Sequence, residues 1–116
     1  MRRGAGYVPA RGEAVWITLD PTAGHEQSGR RPALVLSPSA YNKRVGLALV
    51  CPLTSQVKGY PFEVAVPPAG GSRVVGVILA DRIESLDWRA RQAALLARVP
   101  ESTVSEVVGL LGRLLY

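Results

Sequence analysis

Turn-forming residues break this chain into short pieces. Twelve glycines and nine prolines fall among 116 residues, spread along the sequence rather than gathered in one low-complexity tract. Between them lie apolar segments, several carrying Val or Ile: Ala14–Leu19, Ala33–Leu36, Leu47–Val50, Phe62–Val66 and Val74–Leu79. Each has the length of a strand and residues that suit a pleated, half-buried surface. Many short strands with turns between them predict a mostly β domain with short helices, a small antiparallel sheet or half-open barrel. Ala14–Leu19 is continuous enough to be buried on both faces. Phe62–Val66 alternates, which turns Glu63 toward solvent or a polar site.

Two segments depart from the strand pattern. Ser39–Arg44 is sized for one helical turn. The C-terminus reads as the one extended helix: Val104, Val107, Val108, Leu111, Leu114 and Leu115 recur on a single face. Pro100 and Glu101 suit its first turn, and Thr103 to Glu106 has the spacing of a capping box. Gly109 and Gly112 weaken it by about 1 kcal/mol each relative to Ala, so it needs a sheet or partner to stay folded. Asp81–Gln92 is ambiguous, with helix-like spacing of Ile83, Leu86 and Ala90.

The length fits one domain over residues 1–116, with enough buried surface to fold without staples. The lone Cys51 rules out an intramolecular disulfide or a cysteine-based zinc cluster, and the reducing cytoplasm is the expected compartment. A single histidine rules out a His-pair metal site. Apolar runs such as Gly46–Leu53 are far shorter than the ~20 residues of a membrane span, and no secretory h-region follows Arg2-Arg3. P-loop, dinucleotide-binding, HExxH and CxxC motifs are absent, and no cofactor or metal is expected. The net charge is +5, and only Lys43 and Lys58 among fourteen basic residues are lysine. Arginine's planar fork suits phosphates and base edges, so either composition bias or a polyanionic partner accounts for the excess.

Chemistry concentrates in two stretches. Gly24–Pro32 packs His25, Glu26, Arg30 and Arg31 into one loop, against the plainer reading of a solvated turn. Pro32 restricts Arg31 to extended geometry and so fixes where its side chain points, which favours Arg31 over Arg30 as a site residue. Thr54-Ser55-Gln56-Val57-Lys58-Gly59-Tyr60 follows an apolar run and offers hydroxyls, an amide and an ammonium at a strand end. Such a stretch holds a phosphate or serves as a polar hairpin turn. Cys51 reads as a small buried hydrophobe. Trp16 and Trp88 read as core or interface residues.

Three blocks in order, Gly24–Pro38 (GHEQSGRRPALVLSP), Cys51–Val64 (CPLTSQVKGYPFEV) and Gly76–Arg91 (GVILADRIESLDWRAR), closely resemble the MazF branch of the MazF/PemK toxins. The resemblance runs from Tyr7 to Arg91 and weakens through the C-terminal helix. It implies a CcdB-like fold: an SH3-like antiparallel barrel with a C-terminal α-helix, assembled as a homodimer. It further implies a metal-independent endoribonuclease that cuts single-stranded mRNA at a short site, containing ACA in similar proteins. The products carry a 2′,3′-cyclic phosphate and a 5′-hydroxyl, and a small antitoxin with an acidic flexible tail inhibits the enzyme. By the shared motifs Arg31 is the essential arginine, Glu26 the loop carboxylate and Thr54 the strand-end hydroxyl.

Arg31 is then the residue expected to stabilise charge on the phosphorane and Thr54 to hold a non-bridging oxygen; Glu26 and His25 are the candidates for base, with Glu26 favoured because His25 is not part of the shared motif. Candidate RNA contacts are His25, Arg30, Asn42, Ser55, Gln56, Lys58 and Arg82, reading splayed bases on their edges. Two departures stand out. Ser55 replaces a threonine, and Arg82 stands where similar proteins often carry glutamine, placing a cation where a neutral hydrogen-bonder would read a base. A gyrase-poisoning toxin of the same fold is the alternative. Toxins of that kind resemble one another in a C-terminal tryptophan, and this chain ends Arg113-Leu114-Leu115-Tyr116.

Overall fold

The computed structural model describes residues 6–18, 29–67 and 76–116. Among the described residues seven strands follow in chain order: β1 (Glu13–Thr18), β2 (Arg30–Val35), β3 (Ala48–Thr54), β4 (Glu63–Ala65), β5 (Val77–Leu79), β6 (Glu84–Leu86) and β7 (Ala94–Arg98). Helix α1 (Ser39–Val45) sits between β2 and β3, and α2 (Glu101–Leu115) ends the chain. The strands pair antiparallel in the order β4-β5-β3-β2-β1-β7, with β6 also on β3. The mostly β architecture with a C-terminal helix agrees with the sequence.

Strand β3 holds the sheet together by changing partners. Its first half pairs with β6 through Val50↔Glu84, and its end pairs with β5 from Leu53↔Ile78. Pro52 stands at the changeover. The Leu36 N–H donates to the Leu49 carbonyl at 2.8 Å. With the register Ala33↔Pro52 and Leu34↔Cys51, the hydrogen-bonding pairs facing β2 are therefore Leu36–Leu49 and Leu34–Cys51. Pro52 falls between them, its nitrogen turned away from β2 into the gap between β6 and β5. Its missing donor costs the ladder nothing there.

The β1–β2–β3 ladder has a core on each face, as strand alternation requires. One face buries Leu34, Leu36, Cys51 and Leu53 against Val64, Ile78, Val104 and Val107. The other buries Val15, Ile17, Ala33, Val35 and Val50 with Leu86 and Trp88. Each buried Val, Leu or Ile among them contributes roughly 1.5–3 kcal/mol of transfer free energy. Cys51 is wholly buried, and burial, with Asp81 nearby, pushes its thiol up to about 12.

Several expectations change on contact with tertiary structure. Ala94–Arg98, which carries no strand signal, adds to β1 as β7. Within Asp81–Gln92 the chain forms the short strand β6 and a turn rather than a helix. Helix α2 begins at Glu101 with Pro100 as its cap residue and no side-chain cap bond, so the capping box is not formed. Thr103 is instead buried in the first turn. Val104 and Val107 face the core, whereas Leu114 and Leu115 near the C-terminus are more than half exposed. Leu19 and Val74–Val75 lie outside the described residues.

Asn42, expected among the RNA contacts, is a correction. It is 0% exposed. Its Nδ2 donates to the carbonyls of Pro9 (2.9 Å) and Ser37 (3.0 Å), and its Oδ1 accepts from the Ser37 hydroxyl. Its own carbonyl accepts from Trp88 Nε1 at 2.9 Å and from the Gly46 N–H, where a left-handed glycine ends α1. One residue, by its side chain and its backbone carbonyl together, thus ties the N-terminal segment and α1 to the second core. Asn42→Ala leaves two buried carbonyls without donors and is expected to cost about 2–4 kcal/mol in chemical denaturation. A loss below about 0.5 kcal/mol would mean that these groups find water.

Candidate active site

Beyond Leu34–Cys51, the next pair positioned to exchange hydrogen bonds between β2 and β3 is Pro32 with Leu53. Pro32 has no N–H to give. The paired register accordingly stops at Ala33↔Pro52, and the two strand ends separate. Continuing that register by two residues sets Arg31 across from Thr54, on the same face of the ladder. Both line the same clefts at this edge. The Arg31 side chain is exposed and makes no ion pair with a described carboxylate.

Thr54 is held from two sides. It pairs with Val77 on β5, and its Oγ1 accepts the Gln56 N–H at 3.1 Å, leaving its own proton to be donated into the cleft. Gly76, just before Val77, has φ +117°, and a Cβ there would stand 2.2 Å from the Thr54 carbonyl oxygen. Only glycine permits this approach.

From Thr54 a cleft of about 550 Å³ runs between the 54–60 loop and the β5–β6 corner, with Gln56, Lys58 and Arg82 on its walls. Its two carboxylates serve the walls. Glu63 accepts the N–H groups of Lys58 and Gly59, both at 3.0 Å, which fixes the loop. Asp81 accepts the Tyr60 hydroxyl at 2.6 Å, joining the loop to the opposite lip. Lys58 and Arg82 therefore leave the cleft rich in uncommitted positive charge, a setting suited to phosphate.

The structure brings Arg31, Thr54, Ser55, Gln56, Lys58 and Arg82 to one edge. Arg30 is drawn to the other side of β2, where its guanidinium meets Thr18 and the turn before β7. Asn42 sits in the core. His25 and Glu26 lie outside the described residues. Tyr60, Glu63 and Asp81 complete the cleft without having been expected there. Tyr60 closes the polar stretch that begins at Thr54, and the alternation around Glu63 had turned it to a polar side. Asp81 carried no signal.

Two outcomes test this geometry. Donating to Asp81 raises the Tyr60 hydroxyl above its ordinary value, chiefly through that hydrogen bond. The bond is thus fully present below the ordinary tyrosine range and is lost only as pH rises through the raised value. Spectrophotometric titration should show one late-ionising exposed tyrosine that moves earlier in Asp81→Asn; an unmoved titration would remove the bond. Gly76→Ala should destabilise the fold by more than about 1 kcal/mol, since both its backbone angle and the Thr54 carbonyl oppose a side chain. Wild-type stability in that variant would show that β5 can shift away.

Comparison with known proteins places this geometry. A family model described as "PemK-like, MazF-like toxin of type II toxin-antitoxin system" matches residues 10–115. The endoribonuclease toxin MazF of Escherichia coli K12 is 52% identical over 87 residues, covering 75% of this chain and 76% of that one. The endoribonuclease PemK of Escherichia coli is 41% identical over 108 residues, 90% of this chain and 80% of that one. The crystal structure of MazF from Deinococcus radiodurans superposes with a TM-score of 0.83 at 57% identity, over 94% of this chain and 97% of that one. A MazE–MazF structure from the same organism gives 0.82 at 51% identity, over 94% and 96%. Sequence and backbone agree over nearly the whole length, and the chain belongs to the PemK-like, MazF-like toxins of type II toxin–antitoxin systems.

Proposed function

We propose that this chain is a toxin endoribonuclease that cuts single-stranded mRNA at a short specific sequence containing ACA, without a metal ion. The observation that carries this reading is the placement of Arg31 and Thr54 across the open end of β2 and β3, beside a basic cleft. The relatives named as endoribonucleases support it.

The reaction follows from the groups at hand. The ribose 2′-oxygen attacks the adjacent phosphorus and loses its proton to a base, for which Glu26 is the candidate. The bond from phosphorus to the 5′-oxygen breaks, and that oxygen takes up a proton as it leaves. The products are a 2′,3′-cyclic phosphate and a 5′-hydroxyl. Negative charge gathers on the non-bridging oxygens in between. The Arg31 guanidinium stabilises that charge, while the Thr54 hydroxyl donates to one oxygen. Lys58 and Arg82 attract the phosphate backbone, and Gln56, Ser55 and Arg82 face the bases.

The partners follow the same charge pattern. An antitoxin with an acidic, flexible tail would occupy the basic cleft; the MazE–MazF structure from Deinococcus radiodurans and a mycobacterial endoribonuclease in complex with its cognate antitoxin support an antitoxin partner. The half-exposed apolar residues at the end of α2 support a homodimer. No helix among the described residues is long and apolar enough to cross a membrane. The cytoplasm, where mRNA is found, is the proposed compartment.

The test is cleavage of a long RNA in EDTA, with mapping of cut sites and end groups. The wild type should give cyclic phosphate ends. Arg31→Ala should lower kcat by ~10²–10³-fold, the usual loss for one charge-stabilising donor. Glu26→Gln should bind RNA normally and cleave slowly. An inactive wild type, or Arg31→Ala cutting as fast as wild type, would sink the proposal; an unchanged rate in Glu26→Gln would remove that residue from the role of base.

A further inference from the structure

Arg30 and Arg31 are neighbours with opposite surroundings. Arg31 stands exposed at the cleft edge. Arg30 Nη1 donates to three oxygens on the other side of the strand: Thr18 Oγ1 at 3.1 Å, the Arg91 carbonyl at 3.1 Å and the Gln92 carbonyl at 2.9 Å. These acceptors are fixed among themselves. The Thr18 N–H donates to the Arg91 carbonyl at 3.0 Å, and Arg91 Nη1 returns a bond to the Thr18 carbonyl at 3.0 Å. Gln92 adopts a left-handed φ of 54°, unusual for a residue with a side chain, at the reversal that presents the two carbonyls.

The start of β2 needs such an anchor. On its β1 side Arg30 and Arg31 pair with Thr18 and Ile17. On its β3 side the paired register does not extend to them: it ends at Ala33↔Pro52, where Pro32 cannot donate. A strand end that has left one of its two ladders is held by fewer ladder bonds than the strand's middle. The Arg30 guanidinium adds a restraint by joining this end to the last residue of β1 and the turn before β7. With Arg30 pinned on one face, alternation fixes the direction in which Arg31 leaves the other.

We propose that Arg30 is a positioning residue for Arg31: its three-oxygen clamp holds the strand end that aims the catalytic guanidinium. This rests on the proposed ribonuclease reading for its kinetic consequence, though not for the clamp itself. Arg30 is thereby separated from the residues that contact RNA. Misplacing a charge-stabilising group by about an ångström costs rate up to ~10²-fold without weakening substrate binding to match.

The experiment measures kcat and KM on a single-stranded RNA substrate, their salt dependence, and amide hydrogen exchange at Arg31. The proteins compared are wild type, Arg30→Ala, Arg30→Lys and Thr18→Val. Arg30→Ala should lose on the order of 10–100-fold in kcat with KM within about twofold and an unchanged salt slope. Arg30→Lys should recover part of that loss, since an ammonium can still reach carbonyls. Thr18→Val, which removes one acceptor without changing shape, should lose less than Arg30→Ala. Exchange at Arg31 should quicken in the same order.

A raised KM with a salt slope shallower by about one would make Arg30 an RNA phosphate contact and overturn the proposal. So would folded variants with wild-type kcat and exchange. Should Arg30→Ala fail to fold, Arg30→Lys and Thr18→Val decide on the same criteria. An inactive wild type would defeat the ribonuclease reading alone, and the Arg31 exchange rates would still settle the clamp.

Discussion

The partner change along β3 is the constraint on which the rest of the structure depends. A single strand serves β2 on one side, and β6 then β5 on the other, so three segments distant in sequence meet at its end. Two prolines set the arrangement. Pro52 sits where a donor is not needed, and Pro32 sits where one is missing, so the first continues the strand and the second ends its pairing. Thr54 and Arg31 face each other by register, across strand ends that the ladder no longer joins. Gly76 completes the corner by allowing β5 to approach the Thr54 backbone.

Charge at this edge is divided by function. Glu63 and Asp81 are both spent on the walls of the cleft, one on backbone N–H groups and one on a tyrosine. Had either paired with Lys58 or Arg82, the site would have lost attraction for phosphate and gained little, since exposed ion pairs contribute about 0–1 kcal/mol. The ion pair among described residues, Arg98 with the buried Glu13, belongs to the β1–β7 edge instead. There Glu13 also accepts the Tyr7 hydroxyl, and burial with that bond raises the tyrosine well above its ordinary range.

Much of the architecture was legible because local chemistry and tertiary outcome agree. The β-branched segments around Val15, Val50 and Val64 are strands, and the 104–107–111 periodicity is helical. Arg31 was distinguished from Arg30 by the proline after it. What was not legible depends on contacts remote in sequence. Ala94–Arg98 is built from helix-forming Ala and Leu, and only the free edge of β1 makes it a strand. Asn42 looks like a surface residue of a short helix, and its burial requires Pro9 and Trp88 to converge on it. Asp81 meets Tyr60 across 21 residues. The capping box failed because Pro100 starts the helix earlier and Thr103 is claimed by the core.

The two-sided burial of β2 carries a consequence for fidelity. In most sheets a slip by one residue exchanges a buried face for a wet one, and the loss of hydrophobic contact forbids it. Here Ala33 and Val35 face one core and Leu34 and Leu36 the other. A slipped strand would bury much the same apolar atoms, and hydrophobicity alone leaves the alternative poorly excluded. The slip that brings Arg30 to the cleft would carry Arg31 one place on, to the opposite face, and leave Gly29 at the clamp with no guanidinium to offer. What distinguishes the two alignments is the imino acid at position 32 and the three oxygens waiting for one guanidinium. The polar fittings of this strand act as its alignment key, and the identity of the arginine that faces the cleft is a product of folding in register.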